Sequence, residues 1–402
     1  MKYIKKLNLQ TEEVEEVKTL EKHTITNNPF TVDEYIGHER NFLAIDGDYN
    51  DGFNQLNEIN DVRISCIVSR EVDEINSELI DMKNNQRIFK PKVYAYLSQG
   101  STGSTNWETY VDDETYVEHL TAMKNSGCDG FVLCLQIQPS KEQRDNFASD
   151  TITEDELVYR AYPSFANVQL LRDIGDEIGV PLIGIKFHNN WIRDNSKPLT
   201  FSKWFEQYTQ EAYKFANEFN DIKYFSILNE SKSIINTTSN KGKIKTLLDQ
   251  LKKKGFITGF SGVNDFDSDY DNYINGIFIH TYPTISNKGE FTTYQDGTIG
   301  WESYGILETL RKMRKKYPDK IFLISETGVQ NYWEALSLPE QNFNVDNTLV
   351  EDGSPSAIYF YGMFEALKNE DYNFLDSVWL FYTNPIREKT QKVICKYVGG
   401  VK

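Results

Sequence analysis

The stretch FSILNES, residues 225–231, runs an apolar β-like segment straight into Asn229 and Glu230. A second stretch, LISETG at 323–328, does the same into Glu326. A carboxylate at the C-terminal end of a buried parallel strand leaves the sheet for the crevice above it, where ligands of barrels and doubly wound folds bind. One such glutamate, taken alone, is more often a solvated strand end. Two of them, one from the middle and one from late in a repeating chain, can face each other across a barrel mouth. The number and order of strands therefore decide the reading.

From residue 91 onward, short β-branched or aromatic runs alternate with amphipathic helical segments, the pattern of parallel strands joined by crossover helices. In the first half, strands are expected at VYAYLSQG (93–100), GFVLCLQIQ (130–138), PLIGIKFH (181–188) and IKYFSILN (222–229). In the second half they are expected at FITGFSG (256–262), GIFIHTY (276–282), KIFLIS (320–325) and SVWLFYT (377–383). Helices are expected near 114–126, 164–178, 201–219, 242–254, 301–316 and 355–369, with a short fifth crossover around 265–273. Gly179 and Gly255 each follow a helix, and Pro181 opens the third strand. Eight strands with crossovers predict a (β/α)8 TIM barrel, a unit of about 250 residues. The long segments 139–163, 283–300 and 327–354 all follow strands, so a barrel puts them on its active face.

Residues 1–90 do not fit the repeat. They are richer in charge, with one apolar run, VRISCIV at 62–68, and one helical candidate at 71–84. The expected division is an N-terminal extension or small accessory domain over 1–90 and a barrel over 91–402, with possible assembly into something larger through the extension.

Composition narrows the function classes. With 402 residues, 39% of them hydrophobic, the chain can build a full core. A net charge of −17 repels a nucleic-acid backbone or an anionic membrane, and favours a neutral or cationic ligand. The N-terminus MKYIKKLNLQTEEVEEVK has no apolar signal core, and no apolar run approaches the roughly 20 residues of a membrane span. The expected alternatives are a cytoplasmic or virion-associated protein, one exported by another route, or one that has lost a leader. Four cysteines form no CxxC pair, and five histidines include no HExxH, so no metal and no cofactor is expected.

With eight strands placed, Asn229–Glu230 end strand four and Glu326 ends strand seven. This resembles the clan A glycoside hydrolases, a superfamily of TIM-barrel retaining enzymes that includes cellulases, mannanases, β-galactosidases and xylanases. The resemblance covers residue 91 to about 395. It implies that Glu230 is the acid/base and Glu326 the nucleophile, with Asn229 bonding the sugar's 2-hydroxyl. His280 and Tyr282 of strand six would support the nucleophile, and Trp379 of strand eight would form a platform for the sugar's apolar face. His188, followed by Asn189, Asn190 and Trp191, suits hydroxyl recognition. Trp333, like Trp107, Trp191 and Trp301, falls in or beside a segment that follows a strand and could line further subsites. Two departures argue against the cellulase branch: strand two carries Gln136 and Gln138 where large families have Arg, and Ser231 stands where many have proline.

The chemistry explains the residue types. Cleaving a glycosidic bond through an oxocarbenium-like state needs a protonated carboxyl at the leaving oxygen and an ionised carboxylate at the anomeric carbon. The donor is expected to be raised in pKa by apolar surroundings, and the nucleophile lowered by hydrogen-bond donors. The leading expectation is thus a retaining glycosidase acting on a polysaccharide or glycan. The second is a non-hydrolytic carbohydrate-binding or structural barrel, such as a bacteriophage virion component that contacts host surface glycan. A metal- or phosphate-dependent lyase or isomerase comes third, because no Gly-rich phosphate loop follows strands seven or eight.

Overall fold

The computed structural model describes residues 87–97, 113–263, 266–285, 293–339, 349–381 and 385–399, together with the backbone of three N-terminal strands at 2–8, 13–20 and 41–46. The chain divides into two compact units, Met1–Gln86 and Arg87–Lys402. In the first, β1 (Lys2–Asn8), β2 (Glu13–Leu20) and β3 (Asn41–Asp46) form an antiparallel sheet in the order β2-β1-β3. The apolar run at 62–68 and the helical candidate at 71–84 lie outside the described residues.

The second unit is the barrel. Its strands are β4 (Lys92–Leu97), β5 (Gly130–Gln138), β7 (Leu182–His188), β8 (Tyr224–Ile227), β9 (Ile257–Phe260), β10 (Gly276–His280), β11 (Ile321–Gly328) and β12 (Leu375–Phe381). They are hydrogen-bonded in the order β10-β11-β12-β4-β5-β7-β8-β9. A parallel bridge between Ser261 and Phe278 joins the two ends, with Gly262 N–H donating to Phe278 O at 3.0 Å. The eight parallel strands and the helices between them make a (β/α)8 barrel, as the strand count predicts. A three-residue β6 (Arg160–Tyr162) adds antiparallel to β5, within the long segment after the second barrel strand.

The crossover helices bury one stripe each. The helix Phe165–Ile178 starts where Ser164 Oγ accepts from Asn167 N, and it stops at Gly179, whose φ of +89° closes the last turn onto Gly175 O. Its Val168 and Leu171 are buried against the strands. The helices Phe201–Glu218, Lys241–Lys253, Ile306–Lys316 and Ser354–Leu367 fall where the periodicity puts them. Within the sixth crossover a separate helix, Tyr294–Ser303, precedes Ile306–Lys316, so the run expected as one helix at 301–316 is broken at Tyr304–Gly305. The fifth crossover is only a 3-10 turn, Ser268–Tyr270.

Strands buried on both faces form two cores. The larger lies between strands and helices. The smaller fills the barrel interior with Tyr94, Tyr96, Tyr224, Phe278 and Trp379 among its members. Trp379 has no exposed surface, meets Tyr96, Tyr224 and Phe278 edge-on, and donates from Nε1 to Ser377 Oγ at 3.1 Å. This corrects the expectation of a sugar platform: Trp379 is interior packing. Above that apolar floor the interior turns polar, and the C-terminal strand ends carry the candidate site.

Candidate active site

The backbone places the two glutamates differently. Glu326 lies within β11, where the parallel pairing with β10 shifts register and sets His280 opposite Glu326. Glu230 lies three residues beyond β8, in a turn where Leu228 and Glu230 adopt φ of +52° and +53°. Left-handed backbone at a non-glycine residue costs on the order of 1–3 kcal/mol and persists only where surroundings hold it. Here Leu228 N–H donates to the buried Tyr208 hydroxyl at 3.0 Å, and Glu230 N–H to Ser261 O at 2.9 Å. Ser231 and Asn189 exchange side-chain hydrogen bonds at 2.8 and 3.1 Å beneath the turn.

One imidazole spans the pair. His280 Nδ1 is 3.0 Å from Glu230 Oε1, and its Nε2 is 3.4 Å from Glu326 Oε2. One oxygen of each carboxylate and one nitrogen of His280 all lie within 4.8 Å of one another. Gly262 makes room for this contact. It has φ of +68°, and a Cβ there would stand 2.6 Å from His280 Nδ1 and 2.9 Å from Glu230 Cγ.

Glu326 is buried, with 9% of its side chain exposed. Tyr282 OH donates to Oε1, and the ammonium of Lys186 donates to Oε2. Lys186 also lies 2.9 Å from His280 Nε2 and over the face of Tyr96, 5.3 Å from its centroid. Burial pushes the Glu326 carboxyl up, but His280 and Lys186 outweigh it and hold it at about 2. Glu326 is therefore an ionised carboxylate at neutral pH.

Glu230 is 42% exposed, and both its oxygens are engaged, Oε1 by His280 and Oε2 by Arg193 Nη1 at 2.8 Å. The His280 hydrogen bond, against the cost of burial, holds its carboxyl well below the usual carboxylate range. This reverses the expected direction: the surroundings of Glu230 are polar and cationic, not apolar.

His188 and Asn229 lie alongside. Burial pulls the His188 imidazole down to about 3, so it is neutral at physiological pH. Asn229 Nδ2 donates to its Nδ1 at 3.3 Å, which leaves the Nε2 proton facing Cys134 Sγ at 3.4 Å. Asn229 Oδ1, also buried, has no hydrogen-bond partner among the described residues. His188 therefore orients Asn229.

The expected residues thus separate into two groups. His280 touches both Glu230 and Glu326, Tyr282 bonds Glu326, and Asn229 is held beside them through His188. Trp333, on the 3-10 turn Trp333–Leu336 after β11, is half-buried and packs against the outer core. Trp191 packs on Phe147 and Tyr159, and Trp301 is fully buried, donating to Tyr359 O. Trp107 lies outside the described residues. Sequence reasoning missed Lys186 and Arg193. The signal for Lys186 was there, since the two-residue period of LIGIKFH puts it on the same face as His188.

Glu230, His280 and Glu326 have the donor types and proximity to hold a metal ion. The buried ammonium of Lys186 bonds two of the three, and its charge would oppose a dication in the same space.

No family model and no curated protein matches the sequence. Among solved structures, the chain is similar to a GH113 beta-1,4-mannanase at 12% identity and a TM-score of 0.48, over 78% of this chain and 99% of that one. It is similar to a GH113 beta-mannanase from Alicyclobacillus acidocaldarius at 10% identity and a TM-score of 0.47, over 79% of this chain and 93% of the other. It is also similar to a glycoside hydrolase family 5 mannosidase from Rhizomucor miehei at 12% identity and a TM-score of 0.44, over 76% and 92%.

Proposed function

We propose that the barrel is a retaining glycoside hydrolase of the clan A type, acting on a polysaccharide or glycan. The observation that carries this reading is the paired carboxylates. They emerge from the fourth and seventh barrel strands with oxygens within 4.8 Å of each other. That separation belongs with the roughly 5–5.5 Å of retaining enzymes rather than the roughly 6.5–9.5 Å that inversion needs for a water.

In this reading Glu326 attacks the anomeric carbon while Glu230 gives its proton to the departing oxygen, leaving a glycosyl ester on Glu326. Glu230 then takes a proton from water, the water oxygen attacks the anomeric carbon, and Glu326 leaves as carboxylate. Tyr282 and Lys186 hold the nucleophile in place, and the open acceptor of Asn229 receives the sugar's 2-hydroxyl. Before the first step Glu230 must gain a proton, so substrate entry has to loosen its bond to Arg193.

That requirement favours a second reading: with Glu230 ionised and doubly bonded, the barrel could bind carbohydrate without turning it over. A polysaccharide-panel hydrolysis screen, with Glu326→Gln as control, separates the two. Release of reducing ends by the wild type alone supports the hydrolase. Binding without release supports the module.

In either reading the catalytic or binding groups belong to the Arg87–Lys402 unit, and the extension read at 1–90, of which Met1–Gln86 form the separate unit, serves location or assembly. No helix among the described residues is long and apolar enough to cross a membrane.

A further inference from the structure

Lys186 stands in the third barrel strand with no exposed side-chain surface. Burying an ammonium costs several kcal/mol unless a charge and hydrogen bonds offset it. The partners at hand are Glu326 Oε2, His280 Nε2 at 2.9 Å and the face of the Tyr96 ring. The neighbouring strand supplies no cation, because β5 reads GFVLCLQIQ and pairs Cys134 with Lys186 and Gln136 with His188. The other titratable groups around Glu326 are His188, Tyr96, Cys134, Tyr282 and, across His280, Glu230. Among the described residues, Lys186 is the one ammonium bonded to it.

We infer that Lys186 is the positioning residue of this site: its ammonium orients Glu326 and, through His280, ties Glu326 to Glu230. An ammonium can only donate, so His280 Nε2 accepts from it and Nδ1 carries the proton donated to Glu230 Oε1. The buried ammonium therefore sets the plane of one carboxylate and, together with Ser261 Oγ at 2.9 Å from the same nitrogen, the tautomer of the ring that holds the other. Tyr282, donating to the opposite oxygen, leaves Glu326 little freedom to rotate. The geometric claim stands on its own contacts. Its catalytic consequence, a nucleophile kept ionised and aimed, rests on the hydrolase reading.

The test is a carbon-13 titration of glutamate side-chain carboxyls in the full chain, with Glu326 assigned by its loss in Glu326→Gln. In Lys186→Met the Glu326 midpoint should move up by about 1 to 3 pH units, the effect of removing an adjacent cation, and Lys186→Arg should return most of it. A folded Lys186→Met protein whose Glu326 titrates as in the wild type overturns the inference. If Lys186→Met does not fold, the double variant Lys186→Met, Glu326→Gln is decisive. Recovery of folding supports the coupling, and equal failure overturns it. Hydrolysis assayed on the same samples keeps the claims apart: a shifted titration in a protein that cleaves no glycoside leaves Lys186 in its role and removes the hydrolase reading.

Discussion

His280 stands between Glu230 and Glu326: its Nδ1 lies 3.0 Å from Glu230 Oε1, and its Nε2 shares the Lys186 ammonium with Glu326. The two carboxylates nonetheless differ in surroundings, one buried on Lys186 and Tyr282, the other half-exposed on Arg193. Both carboxyls are nevertheless held below the ordinary carboxylate range, so the proposed acid role of Glu230 needs a change in its surroundings when substrate enters.

Removing the anion beneath Lys186 should destabilise the barrel. Glu326→Ala leaves a buried ammonium without its counter-charge, a loss on the order of 3–5 kcal/mol. Glu326→Gln keeps an acceptor for Tyr282 and should lose less. Denaturant unfolding of the three proteins checks the order, and an Ala variant as stable as the wild type would refute the burial argument.

The same pair sets an acid dependence. Glu326 has a folded-state value of about 2, below its ordinary 4.5, so its contribution to stability is complete above about pH 4.5 and fades as pH falls toward 2. Glu326→Gln should flatten that part of a plot of melting temperature against pH. An acid limb as steep as that of the wild type would place the dependence elsewhere.

Arg193 should govern the acid. Arg193→Gln withdraws a cation 2.8 Å from Glu230 Oε2, so the Glu230 carboxyl should titrate higher and the basic limb of kcat/KM should move to higher pH. A basic limb that stays in place, with activity retained, would show that Arg193 does not tune Glu230.

Gly262 should tolerate no side chain. Gly262→Ala combines a left-handed backbone with a Cβ 2.6 Å from His280 Nδ1, so the ring must move away from Glu230. Turnover should fall far more than stability does. Unchanged kcat would mean that the His280 to Glu230 bond is dispensable.

Trp379, by contrast, belongs to stability. Trp379→Ala should cost about 3–5 kcal/mol by leaving a cavity in the barrel floor, and Trp379→Phe should leave KM unaltered in the folded protein. A KM that rises with the Phe substitution would return this residue to the sugar site.

The strands were readable because parallel strands buried on both faces must be apolar throughout, and Glu230 and Glu326 stood out as charges at the ends of such runs. The two-residue period of FIHTY puts His280 and Tyr282 on one face, and the resemblance implied their support of Glu326. Depth within the barrel was not readable. Trp379 faces inward as the period demands, but the pairing of β12 with β4 sets it opposite Tyr94 in the apolar floor, below the mouth. Lys186 was passed over because a lone lysine near a strand end ordinarily reaches solvent, and only the three-dimensional approach of β7 and β11 side chains across the interior reveals its partner. The turn at Leu228 and Glu230 carries no glycine to announce its left-handed backbone, so its strain was invisible in sequence. The direction of the Glu230 shift follows chiefly from its hydrogen bond to His280, and that approach of one strand end to another is what residue patterns specify least.

In the proposed mechanism Glu326 forms a covalent bond to sugar while Glu230 handles the proton. Its most direct test is intact-mass and peptide analysis of Glu230→Ala incubated with a panel of activated aryl glycosides. The loss of the acid/base should slow release of the intermediate more than its formation from a leaving group that needs no proton. The account predicts that at least one glycoside leaves a single sugar on the peptide containing Glu326, and that azide discharges it with net retention. Hydrolysis of a glycoside by the wild type with inversion, or an adduct on any other residue, would contradict it.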